Sequence, residues 1–240
     1  MLTSRCFALI LLLPASALAQ APELKTQVRD RIANEIKAQS IVGLSVAIGE
    51  SDHLILSESF GFEDREQNIA ATNGTMYRWA SVSKPMTAVV VMQLASENKL
   101  DLDAHVRTLV PEFPEKPWPI TCRQLLCHQG GIVHYDNGKV IKTERKYTDP
   151  HPFADTIVAL DYFKESPLIA EPGTKYSYTT HGYMLLGGVA QRAGKEPFAA
   201  EVKKRIAVPC GMSNLRPDYQ WVSIPHRAVG YRKSKAGTME

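Results

Sequence analysis

The chain has 240 residues, 44% of them hydrophobic and 22% charged, with 15 Gly and 15 Pro, a composition that suits a globular protein with a sizeable core. A formal net charge of +3 is too weak for a nucleic-acid surface. The most basic stretch, KVIKTERKY at 139–147, contains Glu144 and reads as a solvated loop. At the start, Arg5 precedes an apolar stretch from Cys6 to Leu13 that is too short to span a bilayer, and Ala17-Leu18-Ala19 follows the small-x-small cleavage pattern. These features predict a signal peptide over 1–19, cut before Gln20, and an exported chain, periplasmic or secreted, with no stable membrane span after cleavage.

Leu24, Val28, Ile32 and Ile36 recur every four residues and predict an amphipathic helix over about 22–39. IVGLSVAIG (41–49) and HLILSESFG (53–61) read as two strands of a hairpin turned by Glu50-Ser51-Asp52. Asp64 to Thr75 is polar and turn-rich. A helix follows Ser81 to about Asn98, and its many apolar positions predict burial on most sides. Prolines 111, 114, 117 and 119 break the next stretch. A short helix is expected over 121–127, and a polar loop from there to about 151. Further helices are expected over 153–164, over 181–193 with Gly194 as its stop, and over 197–207. A lone hairpin is marginal as a sheet, so its remaining partners are expected elsewhere. Cys122, Cys127 and Cys210 show neither a disulfide framework nor metal-ligand spacing and read as buried free thiols. No metal site is expected: His134, His151 and His181 lack ligand spacing.

ASVSKPMTA (80–88) places Ser81 three positions ahead of Lys84 at the head of the apolar run. On a helix, that spacing puts Oγ and Nζ on one face. The first turn also sets the Ser81 N–H near the positive end of the helix dipole, where an oxyanion is stabilised. Pro85 is tolerated there because first-turn N–H groups lack intrahelical partners. A serine hydroxyl needs a base to become nucleophilic, and a desolvated lysine can provide one. Four-residue S-x-x-K matches are common by chance, so the spacing alone reads as a helix cap beside a surface cation.

The surrounding sequence changes that reading. YRWASVSKPMTAVVVMQLASENKLDLD (77–103) resembles the nucleophile segment of the serine β-lactamase and penicillin-binding protein superfamily, and more closely its class C β-lactamase-like branch of D-Ala-D-Ala peptidases and esterases. The resemblance extends through GFEDREQNIAATNGTMYRWA (61–80), ITCRQLLCHQGGI (120–132), EPGTKYSYTTHGYMLLGGVAQRAG (171–194) and VPCGMSNLRPD (208–218). It implies an α+β fold over 20–240: an antiparallel sheet flanked by helices with an adjoining helical lobe. It also implies a serine hydrolase that needs no cofactor and acts on a small-molecule or peptide substrate through an amide or ester bond. Ser81 corresponds to the nucleophile and Lys84 to its base. The family's Tyr-x-Asn motif falls on Tyr178-Thr179-Thr180, making Tyr178 the proton relay and Thr180 the substrate-binding position, with Tyr176 outside the frame.

Threonine at 180 departs from the pattern, since it offers one hydroxyl where asparagine offers an amide donor and acceptor. It points to the peptidase-like or esterase-like branch, including the mitochondrial β-lactamase-like serine proteins, and away from strong β-lactam turnover. The family's third motif, Lys/His-x-Gly on a late strand, is matched literally only by Lys235-Ala236-Gly237, which comes too early. The expectation is therefore an N-terminal portion of a longer protein, incomplete at its C-terminus. The alternative function is a non-catalytic or penicillin-binding module that keeps the fold without efficient turnover. His128 reads as a residue that fixes its loop by hydrogen bonds.

Overall fold

The computed structural model describes the backbone of residues 15–235 and the side chains of residues 23–235. Arg5, the apolar leader stretch from Cys6 to Leu13, and Ala236-Gly237 lie outside the described residues. Two compact units are present: one reaches to Tyr77 and resumes at Ile224, and the other is Arg78–Ser223. No helix of the described residues is long and apolar enough to cross a membrane.

The first unit begins with α1 (Ala15–Gln39), which starts earlier than expected because ASALAQA is rich in strong helix formers. Strands β1 (Gly43–Glu50), β2 (His53–Asp64) and β3 (Ile69–Ala70) form an antiparallel sheet in the order β1-β2-β3. Glu50 pairs with His53, so the predicted hairpin turns on Ser51 and Asp52. Strand β3 lies in the stretch read as turns, since two residues are too few to show alternation. Gly61 sits at φ +71°, where a Cβ would lie 2.1 Å from the Val42 carbonyl oxygen, so only glycine fits. A late segment reaches this unit through isolated contacts and adds no further strand to the sheet among the described residues. Met76 bridges Arg227 in parallel, and Val229 N–H donates to the Glu63 carbonyl at 2.8 Å. Buried Glu63 accepts from Thr75 Oγ1 at 2.6 Å and lies 3.2 Å from His226 Nδ1.

The second unit is helical. A 3-10 turn at Ala80–Val82 leads into α2 (Ser83–Ser96), followed by α3 (Cys122–Leu126), α4 (Thr156–Ala159), α5 (Thr180–Gly194) and α6 (Phe198–Val202). Helix α5 packs against each of the other four. The core joins Val90, Val91 and Leu94 of α2 to Leu185, Leu186 and Val189 of α5, each removing its full side-chain area from water at roughly 1.5–3 kcal/mol apiece. Helix α2 is not buried on most sides as its composition suggested: Val89 is 45% and Met92 49% exposed. The expected helix over 153–164 is instead the single turn α4 between two 3-10 turns. Asp155 caps it at the Ile157 N–H, and Phe163 leaves helical geometry to stack its ring on His181, 4.7 Å between centroids.

Helix α5 ends on Lys195 in the left-handed conformation, φ 60°, and not on Gly194. Gly194 serves a different need: a Cβ there would lie 2.2 Å from Oε1 of the fully buried Glu201. Glu201 pairs with Arg205, which also holds Glu97. The reading of buried thiols holds for Cys122 alone, whose thiol burial pushes up to about 12. Cys127 and Cys210 are exposed because they stand at the end of α3 and in a turn. Near the two ends of the unit, Arg78 pairs with Asp218 and donates to Gln220 Oε1 at 3.1 Å.

One buried carboxylate fastens the polar loop. Asp161, 2% exposed, meets Arg145 Nε and Lys164 Nζ at 2.7 Å each and accepts from Tyr147 Oη at 3.0 Å. Its carbonyl accepts from Thr143 N–H at 2.7 Å. Asp161→Ala is expected to destabilise the protein by about 3 kcal/mol, at the low end for breaking a buried pair, because Arg145 is half exposed and can rehydrate. Urea unfolding checks it: an unchanged midpoint would show that the carboxylate does not hold the loop.

Candidate active site

Ser81 occupies the 3-10 turn before α2 and is exposed. Val82 N–H closes the turn on the Trp79 carbonyl at 2.9 Å. Ala80 reaches φ 43° immediately before Ser81, a left-handed conformation that costs a residue with a Cβ about 1–2 kcal/mol. Lys84 is the second residue of α2, and Pro85 falls in the first turn, where its missing N–H is harmless. Lys84 Nζ donates to Ser81 Oγ at 3.1 Å and to Thr180 Oγ1 at 3.2 Å. Tyr178 Oη donates to Ser81 Oγ at 2.7 Å. Nζ also lies 4.7 Å from the Tyr178 ring centroid. Among the described residues no carboxylate forms an ion pair with Lys84. Lys84 first, and Ser81 next, hold the Tyr178 phenol below its ordinary range, because a nearby cation favours the phenolate and the Ser81 hydroxyl can turn to donate to it once it forms.

The structure thus brings Ser81, Lys84, Tyr178 and Thr180 together, although Tyr178 is 97 residues from Ser81. The Thr180 hydroxyl is engaged with Lys84. Tyr176 is 63% exposed and its ring packs edge-on to His128, 5.9 Å away. The segment carrying Tyr178 is fixed from three sides. Ser177 N–H donates to the His128 carbonyl at 2.8 Å, and Asn137 Nδ2 donates to Ser177 Oγ at 3.1 Å. Thr179 caps α5: its Oγ1 accepts from Gly182 N–H at 3.2 Å and donates to the Val133 carbonyl at 2.9 Å. Thr179 and Thr180 N–H donate to Nδ1 of His128 and His134, both at 3.2 Å.

His128 therefore fastens its neighbours by hydrogen bonds, as its place in the sequence suggested. Thr179 and His134 were not anticipated. A threonine ahead of the apolar positions of α5 is an N-cap signal that could have revealed the first. An imidazole that accepts a backbone N–H leaves no periodic mark, so nothing could have revealed the second.

A family model described as Beta-lactamase matches residues 28–234. The human serine beta-lactamase-like protein LACTB, mitochondrial, is 28% identical over an alignment of 252 residues that covers 79% of this chain and 44% of that protein. The esterase EstB of Burkholderia gladioli is 27% identical over 190 residues, covering 74% of this chain and 47% of the esterase. The chain spans about half the length of these relatives. The octameric penicillin-binding protein homologue from Pyrococcus abyssi superposes with a TM-score of 0.74 at 23% identity, over 90% of this chain and 49% of that one. The fold is thus the α+β, β-lactamase/transpeptidase-like one that the sequence motifs implied.

Proposed function

Because the chain belongs to the Beta-lactamase family, we propose that it is a serine hydrolase that acylates Ser81 and then hydrolyses the acyl-enzyme. Ser81 Oγ attacks the carbonyl carbon of an ester or amide while its proton passes to Lys84, which enters this step only after giving up its own proton. Tyr178 gives a proton to the leaving alcohol or amine and is reprotonated from Lys84. Water then attacks the acyl-enzyme, the same groups move the protons in reverse, and Ser81 regains its hydrogen. The Ser81 N–H, at the positive end of α2, supplies one donor for the oxyanion. No cofactor enters these steps. The proposed substrates are small esters, D-peptides of the peptidoglycan type, or β-lactams. The leader read over 1–19 makes the proposed compartment periplasmic or extracellular.

The observation that carries this reading is the hydroxyl of Ser81 within hydrogen-bond distance of both Lys84 Nζ, at 3.1 Å, and Tyr178 Oη, at 2.7 Å. A positioned acid–base group close to a nucleophile is the geometry that the chemistry requires. Treating the protein with a fluorophosphonate probe and mapping the adduct by mass spectrometry tests it, with the label expected on the peptide containing Ser81. Tyr178→Phe and Tyr176→Phe form a matched pair. The first is expected to slow labelling and ester turnover by about 10²-fold or more, the second by little, because only Tyr178 reaches Ser81. Equal losses in both would assign the tyrosines to packing and not to proton transfer.

A further inference from the structure

Tyr178 stands on a segment whose following peptide groups are received by imidazoles. Thr179 N–H donates to His128 Nδ1 and Thr180 N–H to His134 Nδ1, each at 3.2 Å. The same two rings flank the phenol, with centroids 4.6 Å (His128) and 5.5 Å (His134) from it. We propose that His128 and His134, as neutral imidazoles protonated at Nε2, are positioning residues that hold Tyr178 against Ser81, and that a proton gained at Nδ1 of either ring releases the segment. This inference rests on the reading of Ser81, Lys84 and Tyr178 as the reacting groups.

The chemistry follows from the inventory of imidazole donors and acceptors. A neutral ring accepts at one nitrogen, whereas the imidazolium donates at both. Protonated Nδ1 would face a backbone N–H, donor against donor, and Thr179, 1% exposed, would keep an unpaired amide. The His134 link has a second effect, since Thr180 also holds Lys84 through Oγ1. Loosening Thr180 therefore disturbs the proposed base as well as the relay.

The surroundings of His128 favour its neutral ring. Lys84 faces His128 from α2, Tyr183 and His181 face the pair from α5, and Tyr176 and Tyr178 face it from the segment itself. Tyr135 packs on His134, and the two imidazoles face each other electrostatically. Among the described residues neither ring has a carboxylate at ion-pair distance. Burial first, then Lys84 and His134, hold the His128 imidazole below its ordinary range. A depressed imidazole is neutral in the folded state above its unfolded value of about 6.5. The contribution of His128 is therefore complete above that pH and is lost as pH falls through the lower folded value.

Two measurements on the full chain test the inference. Imidazole nitrogen shifts from ¹⁵N-histidine labelling are expected to show both rings unprotonated at Nδ1 at pH near 7.5; an Nδ1–H tautomer at either residue overturns the proposal whether or not the protein is a hydrolase. The second measurement is the rate of Ser81 labelling by a fluorophosphonate from about pH 5 to 8, the range in which histidine titrates. In the wild type the acid limb is expected to be steeper than the slope of one that protonation of a single base gives. The double variant His128→Asn, His134→Asn supplies an acceptor oxygen that does not titrate. It is expected to keep most of the rate near pH 8 and a slope of one. The double leucine variant supplies no acceptor and is expected to lose about 10²-fold at every pH, the scale of a 1 Å misplacement. An asparagine variant that keeps the steep limb, or a leucine variant that matches the wild type, would overturn the positioning role. A wild type that never labels at Ser81 would instead defeat the hydrolase reading, while the tautomers would still decide this one.

Discussion

Ser81→Ala is expected to abolish covalent labelling and to lower ester turnover by about 10⁶-fold, the scale seen when a serine hydrolase loses its nucleophile. The fold should survive. Ser81 is exposed, and it is not the cap of α2, whose N-cap position is Val82 with no side-chain bond. Its Oγ receives hydrogen bonds from Lys84 and Tyr178, both of which water can satisfy once the hydroxyl is gone. The loss of stability should therefore stay below about 1 kcal/mol, within the range for exposed polar groups. Intact-mass measurement and a thermal melt on the same sample separate the two effects. An adduct of unchanged yield would move the nucleophile elsewhere, with Ser83, two residues on, the first alternative to examine.

Lys84→Met is the second large effect. Methionine preserves most of the apolar stem in α2 and removes the amine, so a cation that merely solvates a helix end would be replaced at little cost. If Lys84 accepts the proton of Ser81, acylation should slow by roughly 10²–10⁴-fold, the usual contribution of a positioned acid–base group. A second consequence carries its own sign. Lys84 is the largest influence holding the Tyr178 phenol below its ordinary range. Without the cation, the phenol should ionise at higher pH, moving toward the ordinary value of about 10. Difference absorbance of the phenolate between the variant and the wild type measures the shift. A labelling rate within a few-fold of wild type, with Tyr178 unshifted, would leave Lys84 a surface cation.

The site was legible in the sequence to the extent that its parts are local. Ser81 and Lys84 are three residues apart, and helical geometry alone carries their contact. Tyr178 and Thr180 could be named only through the resemblance of whole motifs, because no local rule reaches across 97 residues. The hairpin showed through two β-rich runs around a polar turn, whereas β3 and the bridge from Arg227 to Met76 are too short to carry a pattern. Helix α2 misled in the other direction. Its apolar residues are spread around the whole circumference, yet burial follows Val90, Val91 and Leu94 and leaves Val89 and Met92 outside. Gly194 was read as a helix stop for its conformational freedom, but its lack of a side chain is what the neighbouring Glu201 requires.

The pairing of Arg78 with Asp218 and Gln220 bears on the order in which the chain acquires its structure. The contacts of Met76, Glu63 and Glu66 with Arg227, His226 and Tyr231 close loops of about 150 residues or more, and closing such a loop in an open chain costs roughly 4 kcal/mol of entropy plus a constant. Once the helical unit has formed, Arg78 already stands beside residues 218 and 220, and most of that entropy has been lost beforehand. The strands then meet residues 226–231 through two short tethers. The helical unit is thus expected to form first and to bring residues 226–231 within reach of the strands, so that a lesion in its core, at Leu94 or Leu185, would slow that later assembly.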